Sequence, residues 1–192
     1  PDRVKWLGQT DQRLSAIEKT REEIVGKTLK VGPNPILLAQ VATTSNLSFR
    51  PSEMTRIPLH GDLNPGNILM YKGDPKIFDL EDVEHSVLDS CFELALVIER
   101  IVMVAKDISD AKRVEVGRAF MRGYRGAGGI LSVPEGLLLA DVPRVLALRS
   151  LCLLAHAEQE GVSMPEVEWA KFFSLFDRAT QMATLWDDVF AA

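Results

Sequence analysis

The chain carries only two cysteines, Cys91 and Cys152, in 192 residues. Both fall in apolar stretches that read as helical, so no disulfide framework is expected. Buried free thiols in a reducing cytosol are a simpler reading than a redox pair or a nucleophile. No run of 18 apolar residues occurs, so no helical membrane span is expected. No charged-then-apolar leader opens the chain, and the expected location is cytoplasmic. Positive charge is in deficit, with 22 Lys and Arg against 27 Asp and Glu and a net charge of −5. A nucleic-acid binder would carry a basic face, so no nucleic-acid partner is expected. A cationic small molecule is compatible with this acidity. There are no internal repeats and no low-complexity segments. A phosphate loop is also missing. Gly26-Lys27-Thr28 lacks the upstream glycine and closes a helical stretch, and Gly126-Ala127-Gly128-Gly129 follows a helix with no strand before it.

What is present suits one globular unit. Apolar residues make up 46% and charged residues 26%, enough for a single sizeable core and one domain over residues 1–192. Leu14, Ile17, Arg21, Ile24, Val25 and Leu29 follow helical spacing, with Thr10 or Asp11 as the expected cap. Asn34-Pro35 opens a second helix from Ile36 to about Thr43. Ser45 to Pro58 has two prolines and no period, and reads as a connector. Ser90 is expected to cap an apolar helix from Cys91 to Lys106, and Ser109 another that ends at the glycine cluster after Tyr124. Pro134 to Ala140 reads as a short helix. Asp141 is expected to cap a helix from Pro143 to Gln159, apolar all round and therefore buried. Ser163-Met164-Pro165-Glu166 has the form of a capping box before a last helix that runs to about Asp188. Trp6 and His156 are read as packing residues.

The chemistry is concentrated in His60-Gly61-Asp62-Leu63-Asn64-Pro65-Gly66-Asn67. An apolar run, Ile68 to Tyr71, follows it. Lys72-Gly73-Asp74 is a turn signal, and Lys76-Ile77-Phe78 is a second short run ending at Asp79. The stretch reads as a loop followed by a β-hairpin with a carboxylate at its exit. Asp62 can accept a proton from a hydroxyl. Asn67 offers a carbonyl oxygen and Asp79 a carboxylate, hard ligands that suit Mg²⁺ when phosphates complete its shell. That order of Asp, then Asn five residues on, then a second Asp is what phosphoryl transfer uses. An acidic run follows, with Glu81, Asp82, Glu84 and Asp89 and with His85 among them. Such a run is usually a solvated loop.

These residues resemble the catalytic loop, H-G-D-x-x-x-x-N, of the aminoglycoside phosphotransferase/choline kinase family, relatives of the protein kinases. Asp79-Leu80-Glu81 is similar to that family's metal segment. The resemblance implies an α+β, predominantly α-helical fold, a protein-kinase-like C-terminal lobe with a small β-hairpin. It implies Asp62 as base or orienter, His60 as a buttress of the loop, Asn67 and Asp79 at the nucleotide and its Mg²⁺, and Glu81 as an auxiliary ligand. Mg²⁺ and ATP are the implied cofactor and phosphoryl donor, with a small-molecule hydroxyl as acceptor. Glu93-Leu94-Ala95 stands where the family has D-L-A. This departure leaves open whether Glu93 braces the loop or is only a helix-face carboxylate. The family's glycine-rich N-terminal lobe has no counterpart before residue 55. The chain opens on Pro1, which reads as an excised or processed end, and an ATP-binding lobe is expected in cis. Two functions follow: a small-molecule kinase lobe, or a non-catalytic kinase-like binding or regulatory module. The acceptor is expected between the catalytic loop and the last two helices, with Glu84, Asp187 or Asp188 at its rim.

Overall fold

Helix α1 spans Arg3–Val25, with the Asp2 side chain accepting a hydrogen bond from Lys5 N–H as its cap. In this computed structural model, residues 2–26, 29–44, 50–52 and 55–191 are described. Lys27 and Thr28, and residues 45–49, 53 and 54 of the expected connector, lie outside the described residues. The helix starts about two turns earlier than expected. Thr10 and Asp11 are not its caps; they sit within the helix and make long-range contacts instead. Thr10 is buried and its Oγ1 accepts from Val87 N–H at 3.0 Å. Asp11 pairs with Arg56 at 2.7 Å. Leu14, Ile17 and Ile24 supply the buried stripe.

Helix α2 is Pro35–Thr44, entered as expected, with Asn34 Oδ1 accepting from Leu37 N–H. Strand β1, Ile57–Pro58, pairs antiparallel with β4, Val87–Leu88, so that Ile57 faces Leu88. Between them lies the hairpin of β2, Ile68–Tyr71, and β3, Asp74–Ile77, in the register Ile68 to Ile77. Its turn residues Lys72 and Gly73 both have positive φ, 52° and 88°, the geometry of a tight turn matched to strand twist.

Helix α3, Ser90–Ile98, is buried on most of its surface. Asp89, not Ser90, occupies the cap position. Its carboxylate does not close the helix but accepts from Ser52 N–H and Thr55 Oγ1, while Ser90 Oγ donates to Ile130 carbonyl. The expected continuation to Lys106 is interrupted. Glu99–Met103 is a π-helical segment, with Val104 N–H bonded to Glu99 carbonyl five residues back at 3.1 Å.

Helix α4, Asp110–Gly126, is capped by Ser109 as expected. The expected helix over Pro134 to Ala140 reduces to a turn at Pro134 and a 3₁₀ turn over Leu139–Asp141. Helix α5, Val142–Gln159, is the central element, with Val145, Leu148, Leu151, Cys152 and Ala155 buried against α1 and α3. Asp141 takes the cap position as expected, but its carboxylate pairs with Arg144 and makes no cap hydrogen bond. Helix α6, Glu166–Gln181, begins at Pro165, so Ser163 forms no capping box. The reason is local. A residue before proline is pushed away from helical geometry, and Met164 would have to be the first helical residue of that box. Met182 separates α6 from α7, Ala183–Phe190. Helix α6 is tied to the rest through Glu158, which accepts from Trp169 Nε1 at 3.1 Å and from Gly32 N–H at 2.7 Å.

The fold is therefore predominantly helical with the expected β2–β3 hairpin, and it adds a second antiparallel pair, β1 with β4, where the sequence read as a connector because two-residue strands carry no period. Cys91 and Cys152 are both buried free thiols. Burial pushes the Cys152 thiol up to about 12 and raises Cys91 further, so neither offers a thiolate near neutrality. Among the described residues, no helix is long and apolar enough to cross a membrane.

Candidate functional site

The whole predicted site, from Leu59 to Ser86, is one excursion closed at its neck by β1 and β4. Leu59 N–H bonds Ser86 carbonyl at 2.9 Å, extending that pairing inward. Helix α1 holds the neck through Thr10, and Arg56 Nε donates to Val87 carbonyl at 2.9 Å. Arg13, one turn further along α1, pairs with Asp82 at 2.8 Å. The acidic run after Asp79 is thus not simply a solvated loop, because Asp82 fastens it to α1.

Inside the excursion, hydrogen bonds join the loop to the segment after the hairpin. His60 Nε2 donates to Phe78 carbonyl at 2.8 Å, the residue before Asp79. That bond sets the tautomer and leaves Nδ1 as an acceptor, facing Asp62 N–H at a long 3.4 Å. Asn67 Nδ2 donates to Asp62 carbonyl at 2.9 Å, which orients the side chain and leaves Oδ1 as its acceptor atom. Asn67 carbonyl in turn accepts from Phe78 N–H at 3.2 Å, closing the hairpin next to Asp79. Asn64 builds the bend between these points, with Oδ1 accepting from Gly66 N–H and Nδ2 reaching Asp62 Oδ2 at 3.0 Å. His60, Asp62, Asn67 and the Asp79 segment are brought together. Both ring nitrogens of His60 face backbone groups of the loop and the hairpin exit.

Glu93 braces the loop. Its Oε2 accepts from Gly61 N–H at 3.0 Å across 32 residues of sequence. The side chain reaches the loop backbone from α3, so Glu93 is more than a helix-face carboxylate. Burial raises the Glu93 carboxyl above the ordinary 4.5, opposed by the Gly61 N–H, by the nearby His60 ring and by the backbone of Leu63 and His60. The folded state therefore holds this proton more tightly than the unfolded chain does. Its contribution to stability is largest below pH 4.5 and falls as pH rises from there through the raised value. Glu93→Gln should abolish that fall, measured as thermal midpoint against pH for both proteins. The same decline in the variant would assign it to another group. Glu93→Ala leaves Gly61 N–H without its acceptor and should cost about 1–3 kcal/mol.

Asp79 has φ of 65°, unusual for a residue with a side chain, and its carboxylate is exposed. Glu81 is exposed as well, and His85 is half-buried beside Glu84 at 3.6 Å. Among the described residues, no three His, Cys, Asp or Glu side chains converge as a metal-binding group. The donor set available to an ion is therefore small: the oriented Asn67 oxygen and the Asp79 carboxylate. Such a pair fits Mg²⁺ that arrives with phosphates and keeps its waters. It does not fit an ion held by protein alone.

Beside the loop is a cleft of about 610 Å³, bounded by Gly61, Asp62 and Asn64, by the π segment, and by α5 and α6. The acceptor was expected between this loop and the last two helices; the cleft is lined by α5 and α6, and α7 does not reach it. Its rim is different. Glu84, Asp187 and Asp188 do not line it, and Asp188 is engaged with Arg118 on α4. The lining cations are Arg13, Arg100, Arg149 and Lys171. Sequence reasoning missed all four, because they sit on four separate elements and each reads there as an ordinary helix-face charge. The chain matches no family model, no curated protein and no solved structure.

Proposed function

We propose that this chain is the C-terminal lobe of a small-molecule kinase, similar to the aminoglycoside phosphotransferase/choline kinase family. It would move the γ-phosphoryl group of ATP to a hydroxyl of a bound acceptor. One observation carries the reading: the hydrogen-bonded circuit that links His60 to Phe78, Asn67 to Asp62, and Asn67 again to Phe78. It joins a base, an oriented amide oxygen and an acidic segment next to a cleft, which are the parts phosphoryl transfer requires.

In this mechanism Asp62 aims the acceptor hydroxyl and takes its proton at the carboxylate as the oxygen becomes acidic. Asn64 holds Asp62 Oδ2 and so limits the swing of that carboxylate. His60 and Glu93 keep the loop in register with the hairpin exit from two sides. Asn67 Oδ1 and Asp79 would hold Mg²⁺, with Glu81 close in sequence as an auxiliary carboxylate. When bound, that ion supplies charge neutralisation on the phosphate oxygens. The left-handed backbone at Asp79 is a local strain of the kind found at working sites.

The hairpin supports the missing partner lobe. Leu69, Met70, Tyr71 and Ile77 on the two-stranded ribbon, and Phe78 and Leu80 just after it, are each about half exposed or more. A lone hairpin is marginal in water, and this ribbon is what an ATP-binding lobe in cis would cover. The test is phosphoryl transfer from Mg²⁺·ATP to hydroxyl acceptors by the protein carrying both lobes. ATP binding without transfer to any acceptor would favour the non-catalytic module.

A further inference from the structure

The charge inside the cleft opposes the charge of the whole chain. Arg13 is engaged by Asp82, Lys171 is held by Glu168 at 3.0 Å, and Glu99 accepts from Arg178 at 3.3 Å. Cancelling these pairs leaves Arg100 and Arg149 with no carboxylate partner among the described residues. Only Asp62 remains on the opposing side. Each guanidinium is instead laid over an aromatic ring, Arg149 at 5.7 Å from the Phe92 centroid and Arg100 at 5.9 Å from that of Phe172. Each has a buried Nε with no hydrogen-bond acceptor. Burial, together with the nearby Arg13, pushes the Arg149 guanidinium down to about 10, and Asp82 only partly offsets this. It remains charged at neutral pH, with the Asp82 carboxylate nearby but committed to Arg13.

A guanidinium over a ring face gains a cation–π contact and keeps its donors in one planar fork. That is the preorganised fork that recognises carboxylate and phosphate oxygens in pairs. Two such forks in one cleft would repel an ammonium acceptor. They would also be left unsatisfied by a neutral one, and buried donors without partners are costly.

We propose that the acceptor of this cleft is a small hydroxylated anion, a carboxylate or phosphate monoester, held at its charged end by Arg149 and Arg100. Its hydroxyl then lies toward Asp62. The role of the hydroxyl rests on the kinase reading, while the anion site stands on the cleft alone. In the transfer, the acceptor oxygen forms a bond to the γ-phosphorus of ATP and the bond from that phosphorus to the β–γ bridging oxygen breaks. ADP leaves with the electron pair, and the hydroxyl proton passes to Asp62.

The probes are glycerol 3-phosphate, glycerate, glycerol and choline, titrated into the chain by calorimetry without nucleotide. The two anions should bind, and glycerol and choline should bind at least about tenfold more weakly. Arg149→Met and Arg100→Met should each weaken both anions by roughly ten- to a hundredfold, with glycerol unaffected. Arg149→Lys keeps the charge but loses the fork, and should recover only part of the affinity. If Arg149→Met does not fold, Arg100→Met and Arg149→Lys carry the test. Choline binding more tightly than either anion would overturn the proposal, as would anion affinities unchanged in the folded variants. The two readings fail separately. Anion binding that depends on both arginines, without phosphorylation of any hydroxyl acceptor from Mg²⁺·ATP by the protein carrying both lobes, keeps the site and removes the kinase. Phosphorylation of neutral or cationic acceptors that no anion inhibits keeps the kinase and removes the site.

Discussion

On the proposed kinase reading, Asp62→Asn, tested in a protein that carries both lobes, should lower kcat by about 10² to 10⁴ and leave acceptor KM within a few-fold. A hydroxyl is a poor nucleophile at neutral pH and needs both aiming and a place for its proton. The amide keeps the shape and can still meet Asn64, but it has neither the charge nor the basicity. The lost interaction belongs to the transition state, so the loss falls on turnover and spares ground-state binding. Asp62 is exposed, and its backbone carbonyl, not its carboxylate, carries the bond to Asn67. The variant should therefore keep its thermal midpoint within about 0.5 kcal/mol of stability, as surface substitutions do. A destabilised protein with near-normal turnover would make Asp62 a turn residue and remove it from the chemistry. Asp79→Asn should differ by weakening Mg²⁺·ATP binding as well as turnover.

Gly61→Ala should be the most damaging single methyl group in the loop. Gly61 has φ of 87°, and a Cβ there would stand 2.4 Å from Ser86 Oγ and 2.9 Å from Ser86 Cβ. Left-handed backbone costs an L-residue roughly 1–2 kcal/mol, and overpacking typically adds about 1–3. The backbone is the softer part, since Ser86 is pinned by its carbonyl to Leu59. Relief would come from moving Gly61 away from Glu93 and carrying Asp62 with it. A displacement of about 1 Å at a reacting group can cost 10²-fold in rate. The expected result is a loss of about 2–5 kcal/mol together with a fall in kcat. Gly73→Ala is the control. Its φ is 88°, but nothing lies within 4 Å of the added atom, so it should show the backbone strain alone and no loss of turnover. Equal midpoints for the two variants would mean that contact with Ser86 carries no weight.

The hairpin, its turn and its flanking acids were legible because they depend on neighbours in sequence. Period, turn chemistry and motif spacing all act over a few residues. The start of α1 was hidden because Thr10 and Asp11 have the character of capping residues, whereas their partners, Val87 and Arg56, are distant in sequence. The break at Met182 has no glycine or proline to announce it, and the apolar period continues through it. The role of Glu93 needed the reach from α3 to Gly61, which spacing cannot supply. The cleft was the least legible part. Its overall charge sign was read from composition, and composition averages over a surface whose cations converge only when α1, α5, α6 and the π segment are assembled.

The π segment has a consequence for how this cleft could change over generations. A π turn is an α-helix with one residue inserted, and removing one residue restores the ordinary register. Each residue turns an α-helix by about 100°. A one-codon deletion between Ile98 and Arg100 would therefore swing the Arg100 guanidinium about a quarter-turn off Phe172 and out of the cleft, with α3 left intact behind it. Substitution changes one side chain at a fixed place, whereas the deletion turns the whole segment and brings a neighbouring side chain to that wall. The bulge makes the chemistry of this wall a matter of chain length as well as residue identity.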